Sequence, residues 1–385
     1  MTSTRLYFQL SSFYWFYFAT LGVLLPYWGL YLEALGLPPA RIGELMAITL
    51  ATKIVAPNLW GWLADHTGRR ITIVRLACLL AMLSFIGVYG VGNSYIGLAL
   101  VMLIFSFFWN AALPQFEAIT LNHLGDDTHR YSSIRLWGSL GFIALALLGG
   151  FLAQRWGIAI IPTLLLVLFA ALWLSSLAAP GKEAAHVHSK LPSFRQVLRQ
   201  PLVVVLLLVC FLNQASHGPY YAFFSIYLEQ LGYQTSTIGL LWDLGVAAEV
   251  GIFMLMPWLL PRLGARRLLM ISLASASLRW VLIGYFATYL PLLMFAQTLH
   301  ALSFGVYHAV AIHWIHQLFT GHHQGRGQAL YSSISFGAGG AIGSLVAGYL
   351  WADWGAGGTY TLAAAVSALG WVLAWRGLQS AERSY

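Results

Sequence analysis

Residues 110–141 read NAALPQFEAITLNHLGDDTHRYSSIRLWGSLG, and in this stretch two long apolar runs meet at a short polar turn. The first run carries a carboxylate, Glu117, and the second carries a guanidinium, Arg135. A charge at the centre of a bilayer costs about 2.5–3.5 kcal/mol on insertion scales, so such a side chain usually faces a cavity or a partner. The stretch therefore predicts two membrane-spanning helices that turn a pair of opposite charges away from lipid.

The composition of the whole chain also indicates a membrane protein. Of its 385 residues, 59% are hydrophobic and 8% are charged, whereas soluble domains carry about 25% charged residues. A spanning helix needs about 20 mainly apolar residues, so the length accommodates about twelve spans with their turns. The sequence predicts an all-α integral membrane protein with two six-helix bundles around a central cavity.

Apolar segments can be placed along the chain in two groups of six. The interval 179–200 is polar and basic and contains prolines, which makes it the natural cytoplasmic linker between an N-terminal bundle (1–178) and a C-terminal bundle (201–385). The predicted spans are 6–32, 41–63, 71–91, 94–122, 131–154, 158–178, 201–229, 236–260, 267–287, 290–319, 327–352 and 357–377.

The distribution of basic residues predicts the orientation. With the N-terminus inside, fifteen of the 20 Lys and Arg residues fall in cytoplasmic segments, two fall in outer loops and three fall inside spans. Because cytoplasmic loops carry an excess of Lys and Arg, both termini are expected in the cytoplasm of a bacterial-type inner membrane. The same distribution explains the net charge of +8 without a nucleic-acid partner.

The two halves of the chain repeat each other. Residues 31–36, YLEALG, return as residues 227–232, YLEQLG, and Ile42-Gly43 returns as Ile238-Gly239 at the same offset of 196 residues. The tetrapeptide YSSI at 131–134 returns at 331–334. Three matches in register indicate a duplicated six-span unit, an arrangement in which transporters bind substrate between the repeats.

A basic loop motif follows the second span. Residues 61–70 read GWLADHTGRR, and a weaker copy, PWLLPRLGARR, occupies 257–267. Over its whole length the sequence resembles the major facilitator superfamily. Asp65 can cap a neighbouring helix terminus, and the arginines can anchor the cytoplasmic face. The resemblance implies a conformational-gating role for Gly61, Asp65, Gly68, Arg69 and Arg70. The alternative is a plain basic turn, which the repeat of the motif in the second half disfavours.

The opening stretch resembles the lactose permease-like branch of that superfamily, through Asn110, Pro114 and Glu117 on span 4 and the arginine early in span 5. The resemblance implies that Glu117 and Arg135 bind the substrate. A carboxylate and a forked guanidinium can hold a polyol or a carboxylate by charge-assisted hydrogen bonds. The alternative is a structural ion pair that braces spans 4 and 5. Asn110 lies deeper and is expected to face the pathway.

A second charged set lies in the C-terminal half, with Glu249 on span 8, Arg279 on span 9, and His300 and His308 on span 10. An acid, a fixed cation and imidazoles that titrate near neutral pH suit proton coupling. A glutamate that alternately approaches and leaves an arginine would bind and release a proton in each cycle. The resemblance implies the same role for the arginine on span 9 and the histidine on span 10.

Two features depart from lactose permease. Ser303 stands where that pattern has an acid, and Glu249 lies nearly one helical turn from the expected acid on span 8. Residues 245–249, 135–139 and 279–280 instead resemble the phenylpropionate permease branch. Glu249 is therefore the predicted proton-carrying acid.

Four further polar residues inside spans are predicted to serve the substrate. Lys53 is central in span 2 and is expected near the interface of the bundles, where it would attract substrate or contribute to conformational gating. The alternative is a lysine whose side chain extends to the membrane surface. On span 7, Gln214, His217 and Tyr221 share a helical face that could line the cavity. The alternative for a tyrosine is an anchor at the membrane interface.

Several classes of site and function are not predicted. The two cysteines lie in apolar runs and indicate no disulfide, and the histidines near His313 lack the partners of a metal site. No nucleophile–base arrangement or nucleotide fingerprint indicates an enzyme. A membrane receptor that does not transport remains an alternative, although it would not need buried charges.

The leading hypothesis is a proton-coupled secondary transporter that works by alternating access. It is expected to be a monomer in contact with membrane lipid, to symport a small organic solute, and to use no cofactor apart from the proton as coupling ion. The cationic excess of Lys53, Arg135 and Arg279 slightly favours an aromatic or other small carboxylate. The lactose permease likeness favours a sugar or a nucleoside, and a drug/proton antiporter is a further alternative.

Overall fold

The computed structural model describes residues 4–125, 127, 130–181, 194–320 and 323–379, and the regular structure in these residues is helical. Most of the predicted linker, 182–193, lies outside the described residues. The helices of the first half are α1 (Thr4–Ala34), α2 (Pro39–Thr67), α3 (Arg70–Phe85), α4 (Val88–Val91), α5 (Tyr95–Leu124), α6 (Tyr131–Trp156) and α7 (Ile161–Ala178).

The helices of the second half include two π-helical segments, Ala301–Val306 and Ser333–Gly339. The α-helices are α8 (Phe194–Leu198), α9 (Pro201–Ser216), α10 (Gly218–Gln230), α11 (Thr235–Leu263), α12 (Ala265–Phe286), α13 (Leu290–Thr298), α14 (Tyr307–Leu318), α15 (His323–Ser332) and α16 (Gly340–Gly377).

Eleven helical segments in the described part of the chain are long and apolar enough to cross a bilayer. The last of them, His323–Gly377, has 55 residues, and one crossing needs only about 20. Its path breaks at Gly355, where φ is 61° and ψ is −172°. This break divides the segment into two crossings at the place where the sequence predicts the turn between the last two spans. The predicted all-α membrane fold with twelve spans is confirmed.

The chain forms two compact units. The first unit contains Met1–His186 together with Leu228–Asp243, and the second contains Val187–Tyr227 together with Leu244–Tyr385. The segment Leu228–Asp243, which holds the end of α10 and the start of α11, therefore belongs with the first seven helices. The predicted division into bundles at 1–178 and 201–385 stays a prediction.

Segment Leu228–Asp243 is tied to α6 by hydrogen bonds within the first unit. Thr235 Oγ1 donates to the Gly150 carbonyl oxygen at 2.9 Å, and Gln154 Nε2 donates to Gln234 Oε1 at 2.9 Å. It also meets α1, because Gln230 Nε2 donates to Glu33 Oε1 at 3.0 Å. These polar contacts fix where the segment packs.

The sequence repeat is also a repeat of helix ends. Gly36 follows α1 with φ of 83°, and Gly232 follows α10 with φ of 86°. In each turn the glycine N–H donates to the carbonyl oxygen of the preceding glutamate, Glu33 or Glu229, at 2.8 Å. Left-handed φ values are unstrained only for glycine, which is why the same residue ends both helices. The repeated sequence thus ends α1 and α10 with the same glycine turn.

Glycines of α16 and of the π-segment before it allow close packing against α9 in the second unit. A Cβ atom on Gly339 would lie 2.6 Å from the Phe211 carbonyl oxygen. A Cβ atom on Gly343 would overlap the Ala215 carbonyl oxygen. Helices in lipid associate through this kind of backbone approach, because no hydrophobic effect drives them together.

Replacing Gly343 by Val is expected to destabilise the second unit. Because the clash is with backbone rather than with a flexible side chain, α9 and α16 must separate, and overpacking of this kind costs about 1–3 kcal/mol. The measurement is the thermal unfolding midpoint of the protein in detergent. Gly251→Ala is the matched control, since no atom lies within 4 Å of a Cβ there. Equal midpoints for Gly343→Val and the wild type would contradict the packing argument.

Candidate functional site

The two opposite charges of the opening stretch do not pair directly. Glu117 on α5 is half-buried, and its Oε1 accepts a hydrogen bond from the Tyr131 hydroxyl at 3.2 Å. The Arg135 guanidinium lies over the Phe18 ring, with its carbon 3.8 Å from the ring centroid, and 5.8 Å from the centroid of Tyr14. Within the described residues Arg135 forms neither an ion pair nor a hydrogen bond. The structural ion pair that braces spans 4 and 5 is therefore not formed.

A glycine makes room for this arrangement. A Cβ atom on Gly138, one turn after Arg135 on α6, would lie 2.7 Å from Arg135 Nη1 and 2.8 Å from Phe18 Cδ2. Any larger residue would push the guanidinium off the ring. The cation–π contact orients the group without using its N–H donors, which stay available for an acceptor.

Asn110 joins α5 to α2. Its Nδ2 donates to the Thr49 carbonyl oxygen at 3.0 Å and to Thr52 Oγ1 at 2.8 Å, and the side chain is 3% exposed. The Oδ1 atom is buried and has no partner within the described residues. The amide thus links two helices, and its predicted place on the pathway stays a prediction. Lys53, next to Thr52 on α2, is half-buried.

The loop motif ties three helices together at one end of the first unit. Arg70 at the start of α3 bonds to Asp65 of α2, and its Nη1 also donates to Gln115 Oε1 of α5 at 2.6 Å. Gln115 was not among the predicted residues, because its partner lies 45 positions away. Gly61 lets it approach, since a Cβ there would lie 3.3 Å from Gln115 Nε2.

The other motif residues have simpler environments. Gly68 ends α2 with φ of 64°, and its N–H donates to the Ala64 carbonyl oxygen at 3.0 Å. Arg69 is exposed. The motif therefore combines a helix stop with the bonds of Arg70, and its implied gating role stays a prediction.

In the second unit, Glu249, His300 and Arg279 form a continuous chain. Glu249 Oε2 lies 3.1 Å from His300 Nε2, and His300 Nδ1 lies 3.0 Å from Arg279 Nη1. A guanidinium can only donate, so Nδ1 must accept. This assigns the hydrogen of the neutral imidazole to Nε2, from which it is donated to the carboxylate. The imidazole thus connects a fixed cation to an acid.

Arg279 is immobilised by its other contacts. Its Nε donates to the Ala296 carbonyl oxygen at 3.1 Å, and its Nη2 donates to Gln297 Oε1 at 3.2 Å. The guanidinium carbon lies 4.2 Å from the centroid of the Tyr220 ring, and the side chain is fully buried. Arg279 therefore has its donors engaged by the protein, whereas Arg135 does not.

His308 lies apart from this chain. The rings of His300, Phe304 and His308 stack in a column, with centroids 5.1 Å and then 6.1 Å apart. His308 Nδ1 lies 3.1 Å from the Tyr331 hydroxyl. The column runs along the π-helical segment Ala301–Val306, and π-helical turns occur frequently at functional sites. No residue pattern in the sequence indicated this segment.

Gln214 and His217 are buried where α9 gives way to α10. His217 Nδ1 lies 2.8 Å from the Asn213 carbonyl oxygen, so Nδ1 carries the hydrogen in the neutral ring. Neither His217 Nε2 nor the Gln214 amide has a partner within the described residues. Tyr221, the third residue of the predicted face, is half-buried, with its ring centroid 5.9 Å from that of His217. Gln214 and His217 on this face are thus buried polar residues with side-chain atoms that lack hydrogen-bond partners within the described residues.

One buried carboxylate was not among the predicted site residues. Asp243 on α11 is 7% exposed, and neither of its oxygens has a hydrogen-bond partner within the described residues. It met the criterion that selected Glu117, an acid inside a long apolar run, and could have been found by that criterion.

A family model and several known membrane transporters match most of the chain. The MFS_1 like family matches residues 7–362. The "Probable 3-phenylpropionic acid transporter" of Escherichia coli (strain K12) is 33% identical over 356 residues, which cover 91% of this chain and 92% of that protein. The "Maltose permease" of Geobacillus stearothermophilus is 29% identical over 367 residues, with coverage of 90% and 88%.

Solved structures share the fold. A crystal structure of the nucleoside transporter NupG, in a single-residue variant form, superposes with a TM-score of 0.84 and covers 97% of this chain and 100% of that chain. Its sequence identity is 18%, so the likeness concerns the fold alone.

Proposed function

Because this chain belongs to the MFS_1 like family of the major facilitator superfamily, we propose that it is a proton-coupled symporter of a small aromatic carboxylate that works by alternating access. The family and the relatives show a multi-pass membrane protein that is a secondary transporter and not an enzyme. The proposal adds the proton as coupling ion with no other cofactor, a monomer in contact with lipid, and both termini in the cytoplasm of the bacterial inner membrane.

The observation that carries the proposal is the chain from Glu249 through His300 to Arg279. The fixed guanidinium disfavours a second proton on His300, because that proton would point at Nη1 of a cation. A proton that reaches this chain therefore goes to Glu249. Protonation removes the negative charge that attracts the Nε2–H, so it loosens the bond between α11 and the helix of His300. Binding a proton is in this way linked to a helix contact.

The state of Arg135 supports a carboxylate as solute. A half-buried guanidinium that forms no ion pair or hydrogen bond within the described residues can bind a carboxylate with two parallel N–H donors, which is the geometry that guanidinium groups favour. The rings of Phe18 and Tyr14 beside it suit an aromatic group. The Escherichia coli relative is named for 3-phenylpropionic acid, which contains both parts.

The test is uptake into proteoliposomes with and without an imposed pH gradient. With the membrane potential clamped at zero, one pH unit supports about tenfold accumulation of a carboxylate that enters with one proton. We expect this for 3-phenylpropionate, above the passive entry measured in liposomes that lack the protein. Maltose and uridine serve as comparison solutes.

Different outcomes would contradict different parts of the proposal. Gradient-driven accumulation of maltose or uridine, without that of 3-phenylpropionate, would exclude the proposed solute class. Uptake of 3-phenylpropionate that does not respond to the pH gradient would exclude proton coupling. Outward movement of the solute in exchange for entering protons would indicate an antiporter.

A further inference from the structure

Asp243 is a buried acid that the mechanism above does not use. Its two carboxylate oxygens have no hydrogen-bond partner and form no ion pair within the described residues. Among the described residues, Tyr27 of α1 is the titratable side chain close enough to interact electrostatically with it. From α6, the neighbouring Ala146 and Gly150 contribute only backbone carbonyls to this contact region. Nothing in these contacts stabilises a negative charge on Asp243.

The position of Asp243 connects it to a packing contact. It is the last residue of segment Leu228–Asp243, which packs on α1 and α6 within the first unit. One turn earlier, Gly239 fits closely against Tyr27, because a Cβ there would overlap the Tyr27 hydroxyl oxygen. That hydroxyl donates to the Ala146 carbonyl oxygen at 2.5 Å and cannot donate its one hydrogen elsewhere at the same time. Packing of the segment therefore buries the carboxylate beside a donor that is already used.

Asp243 is also separate from the acid that serves the proposed proton site. It lies six residues before Glu249 on α11, so the two side chains point about 120° apart around the helix. Glu249 bonds to His300 in the second unit, whereas Asp243 belongs to the first. The two acids thus respond to different surroundings although they share one helix.

We propose that Asp243 is a second proton-binding residue, and that segment Leu228–Asp243 packs on α1 and α6 while Asp243 is protonated. An ionised carboxylate buried without a partner is strongly unfavourable, whereas the neutral acid pays only the smaller cost of a buried polar group. When the segment moves away, water solvates the carboxylate and the proton is released. Packing and proton binding then favour each other by linkage, so packing is complete at low pH and is lost as pH rises.

The experiment measures packing directly and needs no substrate. Gln154 and Gln234 are both exposed and are hydrogen-bonded to each other at 2.9 Å, so spin labels at these two positions report contact of the segment with α6. The native cysteines Cys78 and Cys210 are buried and are replaced by Ala. Dipolar broadening of the spectrum is recorded between pH 5 and 9, a range chosen to bracket titration of a buried acid, in frozen nanodisc samples.

We expect the label pair in the otherwise wild-type protein to be strongly broadened at the lowest pH and to lose this broadening as pH rises. Asp243→Asn, a neutral isostere of the protonated acid, should stay broadened throughout. Asp243→Glu should restore the pH dependence, which separates titration from a folding defect. A pH-independent spectrum in the wild type, or the same pH dependence in Asp243→Asn, would overturn the proposal.

The role of Asp243 in transport rests on the proposed function, but its role in packing is tested apart from it. Glu249→Gln in the same labelled background should keep the wild-type pH dependence of broadening. If this variant loses the dependence while Asp243→Asn retains it, the proton that controls packing is on Glu249 and the inference fails. Absence of proton-driven uptake would contradict the proposed function and leave the spectroscopic result intact.

Discussion

Replacing Arg135 by Gln should weaken binding of a small aromatic carboxylate about 100-fold. Charge-assisted hydrogen bonds contribute about 1.5–3 kcal/mol each, and 1.4 kcal/mol is a factor of ten in affinity. Arg135 forms no ion pair within the described residues, so the loss reports the ligand contact rather than a broken ion pair, although Glu117 loses the nearby positive charge. Arg135→Lys keeps the charge but loses the planar fork, so a loss of about tenfold is expected. Equilibrium binding of labelled carboxylate to purified protein measures both.

An uncharged ligand separates recognition from damage to the fold. The amide of the same aromatic acid should bind the wild type weakly, and it should bind Arg135→Gln with equal strength. Arg155→Gln, an exposed arginine at the end of the same helix, is the matched control and should bind the acid like the wild type. If Arg135→Gln weakened the amide as much as the acid, Arg135 would hold the structure of α6 and not the ligand.

The spans were predictable from the sequence because lipid imposes a simple rule on it. Every apolar run of about 20 residues bounded by polar turns became a helix, as backbone groups in a bilayer must bond within their own segment. The least obvious boundary, inside His323–Gly377, is made by Gly355, whose φ of 61° interrupts an otherwise continuous helix. At this boundary a single glycine separates two spans, whereas polar loops separate spans elsewhere in the chain.

The partners of buried charges were less predictable. Glu117 and Arg135 lie on successive spans with opposite charges, so an ion pair was a reasonable alternative. The side chains instead contact Tyr131 and Phe18, and the two charges interact without forming an ion pair. A sequence gives the depth of a residue along its helix, but the direction of a long side chain depends on small neighbours such as Gly138. Such neighbours are recognised only once the helices are packed.

The members of the second charged set were predictable, and their connection was not. Position 300 lies on a different helix from both 249 and 279, so the order acid–imidazole–guanidinium follows from packing alone. That order fixes the tautomer of His300, whose hydrogen on Nε2 is directed at the Glu249 carboxylate. The π-helical segment after His300 and the burial of Asp243 also arise from packing.

Glu249→Gln should abolish accumulation of the solute against its gradient while exchange of solute across the membrane continues. The carbonyl oxygen of glutamine can still accept the hydrogen of His300 Nε2, but it attracts that hydrogen only as weakly as the protonated acid does, and the amide binds no proton. With one pH unit imposed, the accumulation ratio should fall from about ten to about one. Counterflow, which needs no net proton movement, should stay within about threefold of the wild type, in keeping with the small cost of an isosteric change.

The pH profile of exchange distinguishes a proton site from a structural residue. Wild-type exchange should depend on pH through the protonation of Glu249, and exchange by Glu249→Gln should be independent of pH over the same range. Asp353→Asn removes an exposed acid in the same unit and should leave both accumulation and the profile unchanged. Uphill accumulation by Glu249→Gln would place the coupling proton elsewhere, and half-buried Glu117 and buried Asp243 are the acids to test next. If Glu249→Gln loses exchange as well as accumulation, the contact between α11 and His300 needs the negative charge of the carboxylate. The amide can reproduce the geometry of the carboxylate, but it does not attract the Arg279 cation.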